Sequence, residues 1–369
     1  MQFLIKNIAA IKKAEIALGG LTVLCGESGA GKTVAATTIY GLLQQGRSIL
    51  YAMLEEPVVE AIRFNPAIDL QEMFGGKLLN ECLDNMCKRY AAMLPHILDT
   101  NKQRLAKASV QFRSARPADI AGGDHERSYR LQNGGVHISK AKGKTCLDIM
   151  FADGGIGAHS LAPYVIGVIT DIVFAPLLPD VYMSSAERTG TILFASELDA
   201  ARSKILDFMR ANPMEAVRWL DSTSATNYPL PIVDGLQFTH LFASLVKDIG
   251  ALAKQRPEIL ESFDALLGGV YKVNNGSLVF VDGKGDVFTM REASGKVRAL
   301  ADIGIYLRHK AKTGDVFIID EPERSLTDND QQKFAGVLKM LVDAGIKVLL
   351  ATNSKHFIDA ADTKIRLGD

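Results

Sequence analysis

The chain has few cysteines, no surplus of either charge and no long apolar run, and each scarcity removes a class of protein. Cys25, Cys82, Cys87 and Cys146 are the four thiols in 369 residues, too few for a disulfide framework. With no secretory leader before them, they point to reduced thiols in the cytoplasm. Lys plus Arg equals Asp plus Glu at 42 each, so no net field draws the whole molecule to nucleic acid or anionic lipid, and a polyanion site has to be a local patch. The most apolar stretch, Leu161 to Pro179, is interrupted by Asp171 and carries Pro163 and Pro176. It falls short of the roughly 20 clean apolar residues a membrane span needs. The histidines show no paired spacing, and Cys82 and Cys87 are separated by four residues rather than two, so neither set predicts a metal centre. What remains is a chain 47% hydrophobic and 23% charged, with ample apolar material for a large globular core.

Short apolar runs at Phe3 to Ile8, Ala14 to Leu18 and Leu21 to Cys25, separated by polar breaks and Gly19-Gly20, read as strands. A helix follows over Lys32 to Leu43. From Glu55 to Lys107 the text is rich in Met, Leu, Ala and Lys and poor in β-branched residues, which favours helices. Ser109 to Arg113 and Gly135 to Ile138 alternate as strands do, with Gly122 to Arg127 between them reading as a loop. A second helical region spans 192 to 267. Short strands between Val270 and Met290 carry the turn signals Asn274-Asn275-Gly276 and Asp282-Gly283-Lys284-Gly285. A helix over Gly295 to Ala311, a strand at Val316 to Ile319, a helix over Asp328 to Ala344 and a strand at Ile346 to Thr352 complete the pattern. No internal repeat is present.

The strongest local signal is Gly26-Glu27-Ser28-Gly29-Ala30-Gly31-Lys32-Thr33, the complete G-x-x-x-x-G-K-[ST] between a strand and a helix. Its glycines allow main-chain N–H groups to turn toward phosphate oxygens, Lys32 offers a point charge to the β and γ phosphates, and the Thr33 hydroxyl suits Mg²⁺. The second signal is Val316-Phe317-Ile318-Ile319-Asp320-Glu321-Pro322, a buried-strand run ending in adjacent carboxylates. Asp320 suits Mg²⁺ through its water shell and Glu321 suits polarisation of an attacking water. The two motifs together predict binding and hydrolysis of ATP with Mg²⁺.

With Glu292-Ala293-Ser294-Gly295 and Ala351-Thr352-Asn353-Ser354, these residues resemble the ABC-type ATPase heads of the SMC and OLD superfamily, and within it prokaryotic defence-associated ATPases of the PARIS or OLD kind lacking a nuclease domain of their own. The resemblance covers residues 1–54 and 270–369 and touches Met183 to Gly190. It implies an α/β P-loop fold of the ABC head type, a mixed sheet with helical inserts. A single head would be built from 1–54, 107–191 and 268–369, with a helical insert at 55–106 and a helical subdomain at 192–267.

The resemblance further implies that Ser294 and Gly295 cap the γ-phosphate held by a second copy, so that ATP is sandwiched in a homodimer or higher homo-oligomer. Glu323 to Thr327 takes the D-loop position without that loop's usual terminal Asp. Asn353 stands where many such heads place a phosphate-sensing His, and because Asn cannot carry charge, slow turnover is expected. Gln111 and Gln132 both remain open as the Q-loop glutamine, and Lys12 and Lys13 as groups approaching nucleotide. The implied role is an ATP-driven switch, sensor or scaffold that controls a separate effector, a nuclease or toxin, in antiphage defence. The alternatives are an SMC-like ATPase acting directly on DNA and a transporter's nucleotide-binding subunit. For the DNA alternative, Lys102, Arg104, Lys107, Arg113 and Arg116 form a stretch without acids, with Lys140, Lys142 and Lys144 as a second basic group.

Overall fold

The computed structural model describes residues 1–65, 67–114, 119–131, 134–152, 157–211, 228–274 and 276–367. In chain order these form β1 (Gln2–Ile8), β2 (Ile11–Ala17), β3 (Leu21–Cys25), α1 (Lys32–Phe64), β4 (Ala67–Asp69), α2 (Leu70–Phe74), α3 (Lys77–Ile97), β5 (Ser109–Arg113), β6 (His125–Leu131), β7 (Gly134–Lys140), β8 (Cys146–Ala152), α4 (Ala158–Ile169) and β9 (Val181–Ser184). The second half continues with α5 (Arg188–Ala211), α6 (Leu230–His240), α7 (Phe242–Leu245), α8 (Ala251–Gln255), α9 (Pro257–Leu267), β10 (Gly269–Asn274), β11 (Ser277–Asp282), β12 (Val287–Thr289), α10 (Gly295–Ala299), α11 (Ala301–His309), β13 (Val316–Asp320), α12 (Asp328–Asp343), β14 (Lys347–Ala351), α13 (Lys355–Ala360) and β15 (Thr363–Arg366). The chain divides into two compact units, Met1–Ala17, Gly41–Leu94 and Gln103–Asp180 in the first, and Leu18–Tyr40, Pro95–Lys102 and Val181–Asp369 in the second. The helices expected as a subdomain at 192–267 lie within the second unit.

The first unit holds two antiparallel sheets, β2-β1-β5 and β4-β8-β7-β6. Alternation in β1 turns Phe3, Ile5 and Ile8 inward, and Phe3 meets Phe112 of β5 at a ring distance of 5.3 Å. Residues 125–127, expected in a loop, belong to β6, which pairs with β7 along its length. The strand is mostly exposed and carries no apolar alternation, so its pairing is visible only with its neighbour in place. The apolar stretch from Leu161 is α4 followed by one π-helical turn at Thr170–Phe174, with Leu161, Val165, Ile166, Ile169 and Phe174 buried in protein. No helix among the described residues is long and apolar enough to cross a membrane.

The second unit is organised by an all-parallel sheet of order β15-β3-β14-β13-β9. β13 is buried at every position and β14 nearly so, as strands covered on both faces must be, which accounts for the unbroken apolar runs. Phe334, Val337, Leu338 and Leu341 of α12 share its core with Ile259, Phe263 and Leu266 of α9 and Ile303 of α11. At the β9 edge, Tyr182 stacks on Tyr306 with centroids 4.3 Å apart and planes 10° from parallel. The small antiparallel sheet β10-β11-β12 carries the expected hairpin strands, though Asn275 of the first turn lies outside the described residues.

Candidate functional site

Parallel strands present all their carboxyl ends to one edge, and open α/β sheets bind ligands there. Four loops leave that edge of the second unit: Gly26–Gly31 after β3, Glu321–Thr327 after β13, Thr352–Ser354 after β14 and Ser185–Glu187 after β9. Residues far apart in sequence are placed side by side by strand register, Asp320 opposite Ala351 and Ala351 opposite Leu24.

The loop after β3 turns through left-handed backbone at Gly26, Gly29 and Gly31, with φ of 140°, 84° and 94°. At Gly26 a side chain is excluded outright, because a Cβ would lie 2.4 Å from the Leu367 carbonyl oxygen. Lys32 opens α1 and folds back over the loop, its Nζ donating to the Gly26 and Glu27 carbonyls at 2.9 Å each. Glu27, Ser28 and Gly29 are exposed at the tip, Ala30 and Gly31 are half-buried, and Thr33 faces outward on the first turn of the helix. The loop therefore holds one ammonium group at its centre and offers main-chain donors around it, the arrangement a polyphosphate requires.

Asp320 is 1% exposed and neither carboxylate oxygen has a hydrogen-bond donor. Burial pushes its pKa up to about 6; the Thr33 hydroxyl lies close enough to lower it without reaching hydrogen-bonding geometry, Glu321 and Glu187 push it further up, and Arg188 offsets part of this. Two orphaned acceptors beside a hydroxyl and among further carboxylates fit a hard divalent cation such as Mg²⁺, which takes oxygen ligands and cancels the repulsion between the acids. Asp320 and Thr33 could hold it.

Glu321 has a left-handed φ of 48°, a conformation that costs an L-residue energy and is found disproportionately at functional sites. Its N–H donates to the Ala351 carbonyl at 2.9 Å. Its side chain is half exposed, with Arg324 Nε 3.6 Å from the carboxylate. Next to it, Glu323 accepts from the Thr352 hydroxyl at 2.7 Å and faces the Asn353 amide at 3.4 Å, so the two loops are tied together and Asn353 is held at the exposed edge of β14.

Ser294 is the N-cap of α10, its hydroxyl accepting from the Val297 amide at 3.3 Å. The single helix expected over Gly295–Ala311 is broken at Leu300, whose φ and ψ are −108° and 4°. A side chain interrupts the helical ladder there: the Ala299 carbonyl accepts from Arg188 Nε at 2.7 Å. Arg188 was legible in the sequence only as part of the Met183–Gly190 segment, with no role attached to it.

Other candidates lie elsewhere. Gln111 is on β5 opposite Leu4 in the first unit, and Gln132 and Arg116 fall outside the described residues. Lys12 and Lys13 are exposed on β2, where Lys13 pairs with Glu15 at 2.7 Å. Cys82 and Cys87 are on α3, their thiols pushed by burial to about 11 and about 12. Within the basic groups, Arg113 is held by Asp84 at 2.7 and 2.9 Å. Lys140 is 1% exposed, with its ammonium on the Gly123 and Lys144 carbonyls. Lys102, Arg104, Lys107, Lys142 and Lys144 are exposed.

No family model matches the sequence, and no curated protein does. Among solved structures the chain is similar to an SMC head bound to the C-winged-helix domain of ScpA, at 14% identity over 99% of this chain and 93% of that one, with a TM-score of 0.37. An SMC head with extended coiled coil bound to the C-terminal domain of ScpA, from Pyrococcus furiosus, gives 14%, 99%, 92% and 0.37. The SMC head domain of Thermotoga maritima gives 10%, 99%, 93% and 0.35. On its own geometry, a five-stranded parallel sheet with a glycine loop and lysine between β3 and α1 and a buried aspartate ending β13, the chain has the P-loop NTPase fold.

Proposed function

We propose that this chain is an ATPase of the ABC head type that binds ATP with Mg²⁺ and closes as a homodimer around it. The observation that carries the reading is the buried Asp320 carboxylate, with two unsatisfied oxygens, set beside Thr33 and the Lys32 loop. When nucleotide enters, Lys32 exchanges its two loop carbonyls for phosphate oxygens, and main-chain amides of Gly26–Thr33 meet the remaining charge. Thr33 and Asp320 would hold the cation, which when bound would supply charge neutralisation to the phosphates. Glu321, at the exposed end of β13, polarises the attacking water, and Asn353 contacts the γ-phosphate or that water without adding charge, which keeps turnover slow. Ser294 and Gly295 of the second copy complete each site.

The dimer then serves as a switch or scaffold for a separate effector in prokaryotic defence, a reading supported by the motif resemblance and by hydrolysis being a two-state event. The alternative, direct action on DNA, draws support from exposed Lys102, Arg104 and Lys107, and steeply salt-dependent DNA binding would favour it. The proposed reading is tested by sedimentation of Glu321→Gln with ATP and Mg²⁺. A nucleotide-dependent dimer is expected, whereas a monomer at saturating ATP, or hydrolysis at the parental rate, rejects the assignment.

A further inference from the structure

Among the described residues Arg188 is the largest side chain that is fully buried, at 1% exposure. A buried guanidinium ordinarily faces a carboxylate. This one spends its donors on main-chain carbonyls: Nε on Ala299 at 2.7 Å, Nη1 on Ser185 at 2.9 Å and on Asp320 at 2.7 Å, and Nη2 on Glu321 at 2.8 Å. Asp302 of α11 and Asp320 supply compensating charge from a distance. Tyr182 on β9 donates to Asp302 at 3.1 Å, so the polar cluster reaches the edge of the sheet.

The acceptors are not arbitrary. Two of them belong to the residue proposed to hold the cation and to the one proposed to polarise water, and the second of these has the left-handed backbone. The third ends the helix that Ser294 and Gly295 begin, and the fourth lies in the loop after β9. A planar fork with fixed donor directions sets the spacing of these carbonyls to a few tenths of an ångström, which a lysine ammonium at the same place would not. It does so while leaving the Asp320 carboxylate oxygens unpaired.

Resting on the ATPase reading above, we propose that Arg188 is a positioning residue that fixes the Asp320–Glu321 main chain for hydrolysis and joins it to the helix begun by Ser294–Gly295, so that the two respond to nucleotide together. Arg188 itself touches no substrate. It acts through the backbone of Glu321, so its loss separates binding from turnover: phosphate is held by the loop after β3, which Arg188 does not contact through any of these bonds.

Steady-state kinetics and ATP titration of Arg188→Lys test this. The expected result is Kd and KM for ATP with Mg²⁺ within about threefold of the parent and kcat reduced about a hundredfold, the cost of a misplacement near 1 Å. With Arg188→Ala, guanidinium chloride at low millimolar concentration should restore part of kcat where equal sodium chloride does not, because the free ion can reoccupy the fork's place. A kcat equal to the parent's, or losses of kcat and ATP affinity in equal proportion without guanidinium rescue, overturns the proposal and leaves Arg188 a packing residue. If both variants fail to fold, hydrogen exchange on the unaltered protein decides. A non-hydrolysable ATP analogue with Mg²⁺ should slow exchange in 184–188, 296–300 and 320–324 together, and slowing in 320–324 with none in 296–300 overturns it. An unaltered protein that neither binds nor hydrolyses ATP rejects the ATPase reading instead.

Discussion

Replacing Glu321 by Gly and, separately, by Gln distinguishes what its backbone costs from what its carboxylate does. Both substitutions remove the charge and its exposed contact with Arg324, which contributes little in water. They differ at the backbone, where φ is 48°. A residue with a Cβ pays about 1–2 kcal/mol to sit in left-handed backbone, while glycine gives back about 0.5–1 kcal/mol through the greater freedom of its unfolded chain. Glu321→Gly is therefore expected to be more stable than Glu321→Gln by about 0.5–1 kcal/mol, a rise of roughly 1–3 °C in melting temperature for a unit of this size. The assay is thermal unfolding by circular dichroism without nucleotide, with urea titration as a check. Both variants should lack ATP turnover. If Gln proves as stable as Gly, the strain assigned to this position is not there, and the argument that function maintains an unfavourable backbone fails with it.

The buried Asp320 makes nucleotide-free stability depend on pH in a defined sense. Its folded pKa is raised to about 6, so the folded state resists ionisation, and stability should fall as pH rises from the ordinary carboxylate range through about 6 and then level. Asp320→Asn should remove that slope in denaturant titrations at pH 4.5 and 7.5 and also abolish Mg²⁺-dependent turnover; a slope identical to the parent's would refute it. The Thr327 hydroxyl accepts from the Asp330 amide at 3.2 Å and donates to the Asp330 carboxylate at 2.8 Å in a reciprocal cap on α12. Thr327→Ala should therefore cost about 1 kcal/mol in urea unfolding, and no loss would show the cap to be idle. Gly26→Ala should lose ATP affinity more than overall stability, because the added Cβ would meet the Leu367 carbonyl and reshape the loop; unchanged affinity by fluorescence titration would contradict this.

The chemistry-bearing segments were legible because each is contiguous and unusual. Eight residues from Gly26 to Thr33 carry their own turn, charge and hydroxyl, and Val316 to Glu321 reads as a buried parallel strand ending in acids. The period of α12 was equally plain. The C-terminal end of α1 was not. Gln44-Gln45-Gly46 resembles a helix stop, yet α1 runs on to Phe64 through Pro57. Gly46 is there for close packing, since a Cβ would come within 3.2 Å of Leu178 and 3.3 Å of the Met86 sulfur. The short edge strands β9 and β15 pair only with partners more than a hundred residues away, so four-residue runs carried no local signal. The break between α10 and α11 depends on Arg188, 111 residues earlier than the carbonyl it engages, and no periodicity reports a contact of that range.

The central claim is that a triphosphate with its cation is gripped by the loop after β3 and by Asp320. Isothermal titration calorimetry of the purified chain with ATP, in the presence and absence of Mg²⁺, measures it directly. Saturable uptake of one ATP per chain, tightened by Mg²⁺ and lost in Lys32→Ala, is the expected result. No heat of binding at millimolar ATP with Mg²⁺, or undiminished binding by Lys32→Ala, would contradict the account.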